Sequence, residues 1–151
     1  MCIRDSSCDV KMREKRFRVV TDSFTGASKF QTPSQYNAYT DGSKIDEKVG
    51  CGAVIYGGEL MIKEISSRLP AYATVFFAEL EGIRQCASYL LHNPPDDLKF
   101  VKFFVDSQAA LQALHSENIH SLQVLDTCVA LNQLGTKAKI SMVWTLSLIH
   151  I

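Results

Sequence analysis

Apolar and polar positions form short β-prone blocks through the middle of the chain and then change period. Residues 37–43, 50–57 and 60–68 are three such blocks, separated by turn material that includes Gly57-Gly58. Gly-Gly between two strands is a hairpin signal, so the pattern predicts three consecutive antiparallel strands. Over 73–91 the apolar residues Phe76, Leu80, Ile83, Ala87 and Leu90 recur at steps of three or four, the period of a helix. Asn93-Pro94-Pro95-Asp96 stops that helix, because proline has no N–H and restrains the residue before it. The run FVKFFV over 100–105 predicts a buried strand, and Asp106-Ser107 an N-cap for a helix to about Leu114. Ser121 opens a further helix with Leu122, Leu125, Val129 and Leu131 expected to face inward and Gly135 as its C-terminal stop. Lys139 to Trp144 is the last expected strand. The order βββαβααβ combines early hairpins with late strand–helix–strand units. It predicts an α/β domain with a mixed five-stranded sheet, three antiparallel strands then parallel additions, flanked by helices.

The rest of the chain sets the boundaries of this unit. Residues 21–36 are rich in Ser, Thr, Gly and Gln and show no period, so 7–36 is expected to be a linker and 37–145 the folded domain. Within the linker, KMREKRFR (11–18) carries five basic side chains and one acid. It has two readings, a nucleic-acid-facing arm or a solvated linker. The two ends are unusual. MCIRDS (1–6) can be written ATG TGT ATA AGA GAC AGN and LSLIHI (146–151) CTG TCT CTT ATA CAC ATN. Apart from the wobble positions these are reverse complements, and they resemble a transposase sequencing adapter. Both hexapeptides are expected to be artefacts flanking an internal piece of a longer reading frame.

Composition adds exclusions. The 151 residues are 46% hydrophobic and 21% charged, with sixteen basic and sixteen acidic side chains. That excludes disorder and a disulfide miniprotein, no apolar run approaches the roughly 20 residues needed to span a bilayer, and neutrality disfavours nonspecific coating of nucleic acid. The cysteines Cys8, Cys51, Cys86 and Cys128 lack CxxC spacing and are expected to be reduced core fillers of an intracellular protein, cytoplasmic or nuclear. His92, His115 and His120 show no zinc pattern and are expected at the surface.

Three carboxylates fit a structural role poorly. Asp41 interrupts a strand-like run; it is either a turn residue beside Gly42 or a functional carboxylate. Glu79 lies beside the helical apolar stripe, three residues after Phe76 and four before Ile83, and either snorkels to solvent from the stripe's edge or serves a site, whereas Glu81 is expected to point to solvent. Asp106 follows a strand and precedes a helix, either as an N-cap or as a ligand at the C-terminal ends of parallel strands. Three oddly placed acids on three elements suggest convergence on a hard cation, Mg²⁺ or Mn²⁺, and on two-metal phosphoryl transfer.

Tyr39-Thr40-Asp41-Gly42-Ser43, then Ala78-Glu79-Leu80, then Asp106-Ser107-Gln108-Ala109-Ala110-Leu111 together resemble the type 1 ribonuclease H domain, especially the versions carried by non-LTR retrotransposon reverse transcriptases. The resemblance covers about 37–144. It implies hydrolysis of the RNA strand of RNA–DNA hybrids with two Mg²⁺ ions (or Mn²⁺). Asp41 would bridge the ions, Glu79 and Asp106 would complete most of the ligand set, and Glu79 would lie near the 2′-hydroxyl that separates RNA from DNA. Ser43, Gly42 and Ser107 would lie near the substrate. The partners implied are the hybrid and an upstream reverse transcriptase domain, with no membrane and a monomeric domain. Two departures stand out. Phe77 occupies a position where retroelement members often carry Gln. The family also continues with a Gly/His-containing loop, a fourth acid and a final helix, whereas here Thr145 meets the adapter-like LSLIHI. The C-terminal helix is therefore expected to be missing, His150 is not the loop histidine, and this 151-residue chain is expected to be impaired. The alternatives are an inactive ribonuclease H-like binding or tethering module and a stand-alone cellular ribonuclease H.

Overall fold

The computed structural model describes residues 7–25 and 34–145; both adapter-like hexapeptides lie outside the described residues. Its elements are β1 (Ser7–Lys11), β2 (Arg18–Val19), β3 (Tyr36–Ile45), β4 (Lys48–Gly57), β5 (Leu60–Leu69), α1 (Val75–His92), β6 (Phe100–Val105), α2 (Gln108–His115), β7 (Asn118–Ser121), α3 (Leu122–Leu134) and β8 (Lys139–Trp144). A 3-10 turn covers Thr21–Thr25.

The main sheet runs β2-β8-β6-β3-β4-β5. β3, β4 and β5 form the antiparallel meander, with Tyr36 opposite Gly57 and Gly57 opposite Leu60 at the hairpin ends. The β4–β5 turn is Gly58-Glu59, and Gly58 has φ 66°, a backbone conformation glycine adopts at no steric cost. The turn at Asp46 and Glu47 uses a non-glycine residue in the same region, Asp46 at φ 56°. β6 is parallel to β3, β8 is parallel to β6, and β2 is parallel to β8.

Alternation gives each strand one face toward the helices. Ala38, Ala53, Ile55, Val101, Phe103, Val105, Ile140 and Met142 join Leu80, Ile83, Leu90, Leu111, Leu114 and Leu131 in one core. The opposite face buries Val54, Phe104 and Val143, with Tyr39 stacked on Phe104 at 4.7 Å between ring centroids.

Three expectations change. The sheet has six strands and not five, because β2 extends its edge, and β1 forms a separate antiparallel pair with β7. Residues 7–25, expected as part of a linker, thus pair with the domain at two places. Phe17 and Val19 are buried in its core while Arg16 and Arg18 stay exposed, so the charge run hides a strand period. Helix α3 buries Val124, Thr127, Cys128, Leu131 and Leu134, and Val129 faces solvent. Gly135 does close α3 as expected, in a right-handed conformation (φ −62°).

Candidate active site

Asp41 and Asp106 become neighbours through parallel pairing. The β3–β6 register ends at Thr40 opposite Val105, so the next residue along each of the two segments is a carboxylate. Thr74 starts α1 by accepting a hydrogen bond from Phe77 N–H at 3.0 Å, and Glu79 follows on the face turned to β3. A Cβ at Gly42 would lie 2.7 Å from the Glu79 nitrogen and 2.9 Å from Ala78, so only glycine lets the helix backbone sit this close to the strand. One carboxylate oxygen from each of Asp41, Glu79 and Asp106 lies within 4.8 Å of the others. No other group of three or more His, Cys, Asp or Glu side chains among the described residues has this geometry.

The site is electrostatically unbalanced. Glu79 is only 5% exposed, and its Oε2, the Asp106 Oδ1 and the Thr40 hydroxyl are buried without a hydrogen-bond partner. Burial, reinforced by the Asp106 and Asp41 charges, pushes the Glu79 carboxyl up to about 8, while the Gly42 N–H acts in the opposite sense. Burial and the Asp106 charge raise Asp41 as well. Unpaired buried carboxylates are costly, and a divalent cation with oxygen ligands would remove both the repulsion and the unmet hydrogen-bonding demand. The donor set fits such an ion.

The two readings of Asp106 separate here. Ser107 caps α2, its hydroxyl accepting from Ala110 N–H at 3.1 Å, so the Asp106 side chain is not the cap. Ser107 is therefore engaged structurally, Gly42 faces α1, and Ser43 is exposed on β3 opposite Gly50. Trp144, expected only to pack the end of the last strand, also donates its indole N–H to the Asp106 carbonyl at 3.0 Å. The available signal was its place at the end of a strand parallel to β6. Glu81 is not free surface: Arg84 holds it at 2.6 Å and Gln85 donates to it at 3.0 Å. Phe77 packs with Val49, Cys51, Ala73 and Ala78. A cleft of about 500 Å³ between α1 and α3, lined by Phe77, Arg84 and Asp126 among others, contains none of the three carboxylates.

Cys51, Cys86 and Cys128 are buried free thiols, and burial raises all three. His120 is exposed and meets Asp9 at 2.8 Å. No helix among the described residues is long and apolar enough to cross a membrane.

No protein-family model and no curated protein sequence matches the chain. Solved structures do. RNase H1 from the halophilic archaeon Halobacterium salinarum NRC-1 superimposes with a TM-score of 0.59 at 16% identity, covering 76% of this chain and 87% of that one. The N-terminal RNase H domain of a Mycobacterium tuberculosis protein, solved as a fusion with maltose-binding protein, gives 0.60 at 17%, covering 74% and 87%. LC11-RNase H1 in complex with an RNA/DNA hybrid gives 0.58 at 16%, covering 74% and 86%. The mixed sheet, the helices packed on it and these superpositions together establish that the chain has the ribonuclease H fold.

Proposed function

We propose that the chain is an RNA–DNA hybrid ribonuclease domain of type 1, working with two Mg²⁺ ions (or Mn²⁺) and derived from a retroelement reverse transcriptase. The observation that carries this reading is the convergence of Asp41, Glu79 and Asp106 within 4.8 Å, with buried carboxylate oxygens left unpaired, on a ribonuclease H fold. That a structural neighbour was solved with an RNA/DNA hybrid supports the substrate class. Asp41, Glu79 and Asp106 would hold the metal, which when bound supplies an activated water and neutralises the leaving oxygen.

The chain's own residues prepare that site. Gly42 lets α1 approach, so Glu79 is held rigidly over β3 and does not swing on a loop. Ser107 takes the capping role and leaves the Asp106 carboxylate for the site. Trp144 fixes the Asp106 backbone from the next strand. Ser43, exposed on the same strand as Asp41, is the side chain we assign to the hybrid backbone.

The test is cleavage of a labelled hybrid with added Mg²⁺ by this chain and by Asp41→Asn. The expected result is slow, Mg²⁺-dependent release of 5′-phosphate products that Asn abolishes; equal cleavage by both proteins overturns the proposal. The second reading, a binding or tethering module, draws on Phe77, which packs with Val49, Cys51, Ala73 and Ala78 at a position where the resemblance implies a Gln. Hybrid binding without cleavage, in this chain and in one extended to include a fourth acid, would select it.

A further inference from the structure

A second site lies at the other end of the sheet. A groove of about 570 Å³ opens where β2, β8 and β6 begin; Lys15, Arg16, Arg18, Lys139 and Phe100 line it, and no acidic residue does. In a chain whose acids and bases balance, this is a local excess of four cations. Asp106 follows Phe100 by six residues along a strand, so the groove lies about 20 Å from the carboxylates at roughly 3.3 Å per residue.

The backbone beneath the groove is fixed. Lys15 Nζ donates to the Leu114 and Ser116 carbonyls at 2.6 Å each, at the C-terminal end of α2. Arg16 N–H donates to the Asn132 side chain at 2.8 Å. Phe17 and Val19 are buried, and Arg18 pairs with Ser141 in the β2–β8 register. Above that fixed backbone the side chains of Arg16, Arg18 and Lys139 are exposed, and among the described residues none of them has an acidic partner.

Phe100 gives the groove its second chemistry. Register puts it beside Lys139, and alternation puts both on the sheet face turned away from Val101 and Ile140 of the core. Gln35 accepts from the Phe100 N–H at 3.0 Å and from the Lys99 N–H at 2.8 Å, which pins the strand start while the ring stays 49% exposed. A positive groove with an exposed aromatic on a rigid edge matches how single strands are held, by phosphates on cations and a base on a π-face. A duplex offers phosphates but no free base face.

We propose that this groove binds single-stranded nucleic acid, with phosphates on Arg16, Arg18 and Lys139 and a base stacked on Phe100. This contact is separate from hybrid hydrolysis, and it gives KMREKRFR its nucleic-acid-facing role.

The experiment uses the full chain in EDTA, so hydrolysis plays no part in the readout. Fluorescence anisotropy of a labelled oligothymidylate of about 15 nucleotides, and of a DNA duplex of equal length, is followed across about 50 to 200 mM salt. The single strand is expected to bind more tightly. Replacing Arg16, Arg18 and Lys139 together by Gln is expected to weaken it at least about tenfold and to reduce the log–log salt slope by about 2, at roughly 0.7 per single-strand phosphate contact. Phe100→Ala is expected to weaken the strand about fivefold or more with the slope unchanged, and Phe100→Trp to keep it. All four positions are exposed, and circular dichroism checks that each variant is folded. Absence of binding by the parent chain, preference for the duplex, or single-strand affinity indifferent to Phe100 or to the three cations overturns the proposal.

Discussion

At the scale of single residues, Glu79 carries the sharpest consequence. Its carboxyl titrates near 8 in the folded chain against 4.5 in an ordinary environment, so between those values the folded state holds a proton that the unfolded state has lost. Stability therefore falls as pH rises through this window, and the full penalty is present above about pH 8. Glu79→Gln removes the charge and keeps the shape. In EDTA, the thermal midpoints of the two proteins are expected to agree near pH 4 and to separate progressively toward pH 8, with the Gln protein the more stable. Added Mg²⁺ is expected to raise the midpoint of the parent chain at pH 8 and to leave the Gln protein nearly unchanged. A gap that does not vary with pH would show that Glu79 is not held in the environment described. Gly42 tests the same contact from the strand side. An added methyl meets the Glu79 nitrogen at 2.7 Å and cannot be relieved by rotating a flexible side chain. Gly42→Ala is expected to cost about 1–3 kcal/mol in denaturant unfolding and to weaken the Mg²⁺ response, because α1 must move away from β3. An unchanged unfolding midpoint would place α1 farther from the strand than this.

At the scale of elements, the parts legible in the sequence are those whose local pattern and tertiary role agree. The run 139–144 emerges as β8 with the same bounds, and α1 and α2 begin within two residues of where their caps and spacing placed them. The carboxylates were legible only together: Asp41 beside Gly42 and Asp106 at a helix start each have a local reading, and their occurrence with Glu79 on three different elements is what pointed to one site. What escaped was decided by neighbours. β7 is four residues long and exists by pairing with β1, and β2 is two residues long and exists by pairing with β8. Neither has enough residues to display a period alone. Val129 fits a step of four from Leu125 and faces inward on that period, yet α3 turns Thr127 and Cys128 to the core instead. Thr127 is affordable there because its hydroxyl donates to the Gln123 carbonyl at 2.8 Å, one turn back in the same helix. The role of Trp144 depends on the parallel register with β6, which spacing along one strand does not encode.

At the scale of the whole molecule, the largest change concerns where the folded unit begins. A linker before Asn37 would leave the domain indifferent to residues 7–19, whereas the structure makes them part of it. Phe17 and Val19 enter the core, Met12 N–H donates to the Glu117 carbonyl at 2.8 Å, and Asn132 accepts from Arg16. The segment also carries five tryptic sites, Lys11, Arg13, Lys15, Arg16 and Arg18, so docking is measurable. In a linker these bonds are cut in the native state at a rate set by trypsin alone. In the docked segment the peptide groups of Lys15 to Arg18 become accessible only when the segment opens, and cleavage there tracks the opening free energy. Phe17→Ala discriminates further. Truncating a buried Phe at the border of a core is expected to cost about 3 kcal/mol, which lowers the global midpoint and accelerates cutting between Lys15 and Arg18 on the order of a hundredfold. Arg16→Gln and Arg18→Gln, which change exposed side chains alone, are expected to leave the midpoint within about 0.5 kcal/mol. If the parent chain is instead clipped between Lys15 and Arg18 as fast as an unfolded peptide, and Phe17→Ala melts with the parent, residues 7–19 lie outside the cooperative unit.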